Sequence, residues 1–170
     1  MAKADHKSQP TRIRRNVQQY GDPYLPKLNH GETAVCTRCH AIYQRRHWYF
    51  DNEVFQRSLK QGQTQQVTCP ACKKIEDDYP EGEVLLRGAF LQTHQKEIMN
   101  LVSNEEDRAK GLNPLERIVR MTEGDGTLRI TTTNEKLAQR IGRALQKAYQ
   151  GDVQYKWSED TRYLRVEWVR

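Results

Sequence analysis

Residues 117–151 read RIVRMTEGDGTLRITTTNEKLAQRIGRALQKAYQG. Apolar and β-branched residues flank Gly124-Asp125-Gly126, the pattern of two strands joined by a tight turn. Asn134 then stands where a helix N-cap is expected, and Gly151 where a helix stops. Between them Leu137, Ile141, Ala144 and Ala148, widened by Leu145, recur at helical spacing and form one apolar face. A hairpin leading into an amphipathic helix belongs to a layered sheet-and-helix domain.

The flanking residues extend that domain. Residues 82–91, GEVLLRGAFL, are a short apolar run read as a strand. Residues 92–109, QTHQKEIMNLVSNEEDRA, place Ile98, Leu101 and Val102 at helical spacing. NPLERI at 113–118 reads as a turn or a single helical turn begun by Pro114. Residues 152–169 alternate through Val153, Tyr155 and Trp157, cross a polar turn, and alternate again through Leu164, Val166 and Trp168. The order β-α-β-β-α-β-β over residues 81–170 predicts an α+β unit, an antiparallel sheet with helices on one face.

Residues 31–80 hold the four cysteines, as two C-x2-C pairs separated by 29 residues. TAVCTRCHAIY (33–43) and QVTCPACKKI (66–75) each bring a β-forming approach to a pair. DNEVFQRSLKQG (51–62) between them has Val54, Phe55 and Leu59 at near-helical spacing, one short helix. Two sulfurs two residues apart turn to one side in a tight knuckle, and two knuckles make a tetrahedral cage. Cys36, Cys39, Cys69 and Cys72 are therefore expected to hold one structural zinc ion, with no open position for water. The knuckles also look like those of rubredoxins, which makes a one-iron electron carrier the rival reading. Against it, His40 and Lys73 follow the second cysteine of each pair, where rubredoxins favour glycine. With four thiolates completing the site, His40 reads as a donor to a sulfur or as facing water, and His47 as a surface residue. Trp48, Tyr49 and Phe50 read as core of a small metal-stapled domain, at least two of them buried.

Residues 1–30 lack periodicity and read as a basic, extended or disordered arm. Lys3, Lys7, Arg12, Arg14, Arg15 and Lys27 stand against Asp5 and Asp22, a net of +4 out of +6 for the whole chain. With a pI of 9.2 and a mean hydropathy of −0.96, the balance favours anionic partners, RNA above all. Lys136, Arg140, Arg143 and Lys147 fall at i, i+4, i+7 and i+11 on the helix expected after Asn134, one line of cations able to follow a phosphate backbone. Arg45 and Arg46, beside the aromatics, and Arg12, Arg14 and Arg15 in the arm complete the expected RNA-binding set. No G-x-S-x-G, P-loop or G-x-G-x-x-G occurs, and no histidine–carboxylate pattern supports an open catalytic metal, so an enzyme is not expected. The first residues carry no apolar signal and no run reaches the length of a membrane span, so the expected compartment is the cytoplasm. A metal-stapled protein–protein adaptor, its charges serving solubility, is the remaining alternative.

Paired CxxC knuckles, VLLRGAF at 84–90, and DGTLRITTTNEKLAQRIGRALQKAYQGDVQYKW at 125–157 resemble the N-terminal half of the archaeal and eukaryotic large-subunit ribosomal export adaptors. That is the family first named for nonsense-mediated mRNA decay. Ala138, Ile141 and Leu145 in the helix and Gly151 before the next strand carry the likeness, which spans roughly residues 34 to 168. The resemblance implies a zinc-binding protein acting on the large ribosomal subunit, with the four cysteines as ligands and ribosomal proteins as further partners. The family has more CxxC pairs than the two here, so ribosome maturation or dormancy is the expected role rather than export.

Overall fold

The computed structural model describes residues 23–28, 31–62 and 64–170. Most of the expected arm, with Arg12, Arg14 and Arg15, lies outside them. Within the arm's described part, Tyr24 stacks on Tyr79 with ring centroids 5.1 Å apart.

The first of two sheets contains β1 (Ala34–Cys36), β2 (Ile42–Gln44), β3 (His47–Tyr49) and β4 (Gln65–Val67), in the order β3-β2-β1-β4. α1 (Asn52–Gln61) connects β3 to β4, and α2 (Pro70–Glu76) follows β4. The limits of α1 are set locally. Asp51 accepts a hydrogen bond from Val54 N at 2.9 Å, and Gly62 closes the helix at φ 66°. Its inward face is Phe55, packed with Val35 and Ile42, while Leu59 is 48% exposed. Strands of three residues bury little. The apolar contacts split into that cluster and a second one formed by the cysteines themselves with Ala41, Trp48 and Ala71. The aromatics of this region contribute less than expected: Trp48 is buried, Tyr49 half-buried and Phe50 40% exposed.

The second sheet is built from β5 (Gly82–Arg87), β6 (Ile118–Gly124), β7 (Thr127–Thr132), β8 (Asp152–Trp157) and β9 (Leu164–Val169), in the order β6-β7-β5-β9-β8. α3 (Ala89–Leu112) and α4 (Glu135–Tyr149) accompany it. The α+β class and the element order agree with the sequence pattern. Asp125 and Gly126 have φ of 50° and 69°, the two left-handed residues a type I′ hairpin turn requires. Asn134 caps α4 through Leu137 N at 3.0 Å.

Three features depart from expectation. The sheet is mixed rather than antiparallel, because β5 and β9 run parallel, Val84 opposite Val166 and Leu86 opposite Trp168. The helix α4 carries the chain across to the far edge of the sheet, where β8 forms. The hairpin then turns inward, and the strand that meets β5 runs with it. The apolar run 82–91 is also divided. β5 ends at Arg87, and Gly88, at φ 110°, lies against the Arg170 carbonyl, where a Cβ would collide. Ala89, Phe90 and Leu91 thus open α3.

One sheet face carries the core. Val84, Leu86, Leu128, Ile130, Val166 and Trp168 meet Ile98 and Val102 of α3 and Leu137, Ile141 and Leu145 of α4. The buried face of α4 is turned from the one its apolar pattern suggests. Ala138 and Gly142 are buried while Ala148 is exposed. Gly142 is the cause: a Cβ there would stand 2.7 Å from Val166 Cγ1 and 3.1 Å from the Tyr155 hydroxyl, so its absence lets the helix settle onto the sheet.

Gly142→Ala should therefore lower stability by about 1–3 kcal/mol although alanine is the better helix former. Gly111→Ala, in α3 with nothing within 4 Å of the added carbon, should raise it by about 0.5–1 kcal/mol. Thermal denaturation of both variants checks the opposite signs.

Candidate functional site

Cys36 ends β1 and Cys39 lies in the turn that follows, closed by Cys36 N donating to Ala41 O at 2.8 Å and His40 N donating to Cys36 O at 3.0 Å. His40 takes the left-handed conformation, φ 64°, that glycine adopts most easily. Its ring stacks on Phe55 with centroids 4.4 Å apart, which compensates the backbone. The second pair is built differently from the expected knuckle. Cys69 is the N-cap of α2 and Cys72 sits in its first turn, with Pro70 at the start of the helix. Lys73 is therefore helical and no left-handed residue is needed after Cys72.

The four sulfurs lie within 4.8 Å of one another, and Cys39 Sγ is 3.6 Å from Cys69 Sγ. Metal–sulfur bonds of ~2.3 Å arranged tetrahedrally place sulfurs roughly 3.8 Å apart, so the set fits one ion. The backbone amides of Cys69 and Cys72 donate to the sulfurs of Cys36 and Cys69 at 3.3 and 3.4 Å, as they would to thiolates. Thiols this close cannot ionise independently. Contacts with Cys39, then Cys69 and Cys72, hold the Cys36 thiol below the ordinary range. Contacts with Cys36, then Cys39 and Cys72, hold Cys69 above it, with burial adding to the rise. A divalent cation resolves the conflict by taking all four as thiolates. Neither His40 nor His47, which is exposed on β3, joins the set.

The sulfur cluster touches the second sheet's domain. Arg117, just before β6, donates from Nη1 to Cys72 Sγ at 3.4 Å. Lys74 of α2 is buried at the junction, 2.6 Å from the Glu81 carboxylate and 3.3 Å from Thr133 O. Arg120 of β6 reaches Asp78 at 2.9 Å. No spacing in the sequence marks these residues, because each is an ordinary surface-type cation until the two sheets meet.

Lys136, Arg140, Arg143 and Lys147 are brought together. They line a shallow groove of about 420 Å³ along α4, which Glu105 of α3 lines as well. From first to last the line runs about 16 Å at 1.5 Å per residue. Among the described residues Lys136, Arg143 and Lys147 have no acidic partner; Arg140 lies 3.7 Å from the buried Glu116. Glu105 is itself occupied by Arg108 at 2.8 Å. The open face of the large sheet also carries cations, and three of them are engaged. Arg129 and Arg165 share the buried Glu83, and Lys156 pairs with Glu167 at 3.1 Å.

Arg45 and Arg46 form the two-residue turn between β2 and β3, exposed, with φ of 51° and 67°. Such a turn favours Asn-Gly, and a left-handed residue with a Cβ costs roughly 1–2 kcal/mol. The pair sits on the hairpin of the small sheet, on a different element from the α4 groove.

Among the described residues no helix is long and apolar enough to cross a membrane. No protein-family model, curated protein or solved structure matches the chain.

Cys36→Ser should abolish stoichiometric metal binding, measured by elemental analysis. Trp48, packed among the cysteines, should then shift its fluorescence to the red as the small sheet loosens, while the melt of the larger sheet persists.

Proposed function

We propose that this is a non-enzymatic, zinc-containing RNA-binding protein of the cytoplasm that works on the large ribosomal subunit, in its maturation or dormancy. The observation that carries the RNA reading is the α4 groove, where three cations without an acidic partner among the described residues and one partly engaged arginine stand in line. Unpaired cations are free to replace the counterions of a phosphate backbone, whereas cations already neutralised gain less by doing so. The strained Arg45-Arg46 turn adds support, since a conformation that opposes stability is most often kept where a partner uses it. The assignment to the ribosome rests on the resemblance to the large-subunit adaptors, and ribosomal proteins are then natural neighbours.

Zinc is the metal favoured by four thiolates in a closed site, where it holds the fold and performs no Lewis-acid chemistry. One observation keeps iron as the second reading: the left-handed residue after Cys39 is a rubredoxin-like feature. The helical second pair departs from that pattern. A colourless protein with one zinc per chain removes the iron reading; visible absorption and one iron would establish it.

Sedimentation of cell lysate in a gradient at low and high salt, with binding of the purified protein to ribosomal RNA, tests the main proposal. Co-sedimentation with the large subunit that is lost as salt rises is the expected result. A protein found only at the top of the gradient, with no RNA affinity, overturns it and leaves the protein–protein adaptor. The double variant Arg143→Glu, Lys147→Glu should weaken RNA binding and flatten its dependence on log salt by about one to two units, with little change in melting temperature. Arg140 is a poorer probe, because reversing it sets two carboxylates against each other at Glu116. Arg45→Asn with Arg46→Gly should separate stability from function, raising the melting temperature by relieving the turn while lowering RNA affinity.

A further inference from the structure

Two neighbouring residues join the metal centre to the basic groove. Arg117 points to the cluster and donates to Cys72 Sγ at 3.4 Å. Glu116, one residue earlier, points the other way, with one carboxylate oxygen 3.7 Å from Arg140 in the groove. The two residues lie between a turn, closed by Glu116 N donating to Asn113 O at 3.0 Å, and the start of β6, so one short piece of backbone serves both ends.

That piece is held firmly. Arg117 N donates to Thr133 Oγ1 at 2.9 Å, Thr133 Oγ1 donates to Leu115 O at 2.6 Å, and Thr133 N donates to Arg117 O at 2.9 Å. Thr133 O in turn accepts from Lys74 Nζ of α2 at 3.3 Å. Ile118 N donates to the Glu106 carboxylate at 2.7 Å. A segment pinned at its middle cannot absorb a shift at one end without passing it on.

Both side chains also lack part of their complement. Arg117 Nε and one Glu116 carboxylate oxygen are buried without a hydrogen bond. Each depends on its charged neighbour: Arg117 on an anionic sulfur, Glu116 on the Arg140 guanidinium. A loaded four-thiolate site is the anion that keeps Arg117 in place, and the pinned segment then holds Glu116 where it orients Arg140 along the groove for a phosphate on the guanidinium's open side.

We infer that Arg117 is a positioning residue that couples metal occupancy to the nucleic-acid groove through Glu116 and Arg140, so that metal and RNA each strengthen the binding of the other. The inference rests on the RNA reading above. Reciprocity is required: whatever RNA does to metal binding, metal does to RNA binding by the same factor.

The test is the rate at which the zinc-loaded 170-residue chain yields its metal to a colorimetric chelator, with and without purified ribosomal RNA. RNA should slow release about fivefold or more. Arg117→Gln should release metal about tenfold faster in the absence of RNA. RNA should no longer slow that variant, and Arg117→Lys, which keeps a charged donor, should restore part of the slowing. A merely structural Arg117 would change the rate equally with and without RNA and preserve their ratio, which overturns the inference. Wild-type protein that binds RNA yet releases metal at an unchanged rate overturns the coupling while leaving RNA binding intact. Absence of RNA binding at any salt overturns both.

Discussion

Four sulfurs held within 4.8 Å of one another, three of them on buried residues, are the constraint on which the small sheet depends. Its strands have three residues each and its apolar clusters are too small to offset the entropy of ordering some fifty residues. A metal ion held by the four sulfurs would supply what burial cannot, joining the end of β1 to the first turn of α2 across the intervening hairpin and helix. Once that link is made, α2 has a fixed direction. Lys74 and Asp78 then meet Glu81 and Arg120 at the larger sheet.

Much of this was legible in the sequence. The cysteine spacing needs no tertiary information, and neither do the Gly124-Asp125-Gly126 turn or the Asn134 cap, since each is decided by neighbours in the chain. What escaped depends on contacts between distant residues. The parallel pairing of β5 and β9 is invisible to alternation, which reports a face and says nothing of direction. The rotation of α4 follows from the missing side chain of Gly142, whose effect exists only once Val166 and Tyr155 face it. The helical form of the second cysteine pair is the exception, a local choice that Pro70, suited to a helix start and to a tight turn alike, leaves open.

The candidate binding residues show the same division. Spacing placed Lys136, Arg140, Arg143 and Lys147 on one line, and the structure sets all four along one groove. Spacing could not say which cations are spoken for. Arg129 and Arg165 have the look of a basic sheet face until Glu83, buried between them, takes both. Charge on this protein is better counted by partners than by residues. By that measure the line along α4 is a place where several cations without an acidic partner stand together on one element.

The place of β9 in the sheet has a consequence for the order in which the protein can form. β5 is made early and waits in the centre, paired on one side by the β6–β7 hairpin. Its other side stays open until residues 164–169 arrive and insert between it and β8. During synthesis the apolar row of Val84 and Leu86 thus has an unpaired edge for the time taken to add about eighty residues, several seconds at ordinary elongation rates. A chain stopped before residue 164 would keep a central strand as an edge, open to pairing with another copy. An interior place in the sheet is thus filled by the last strand to be made, which makes that strand the step that commits the domain to its fold.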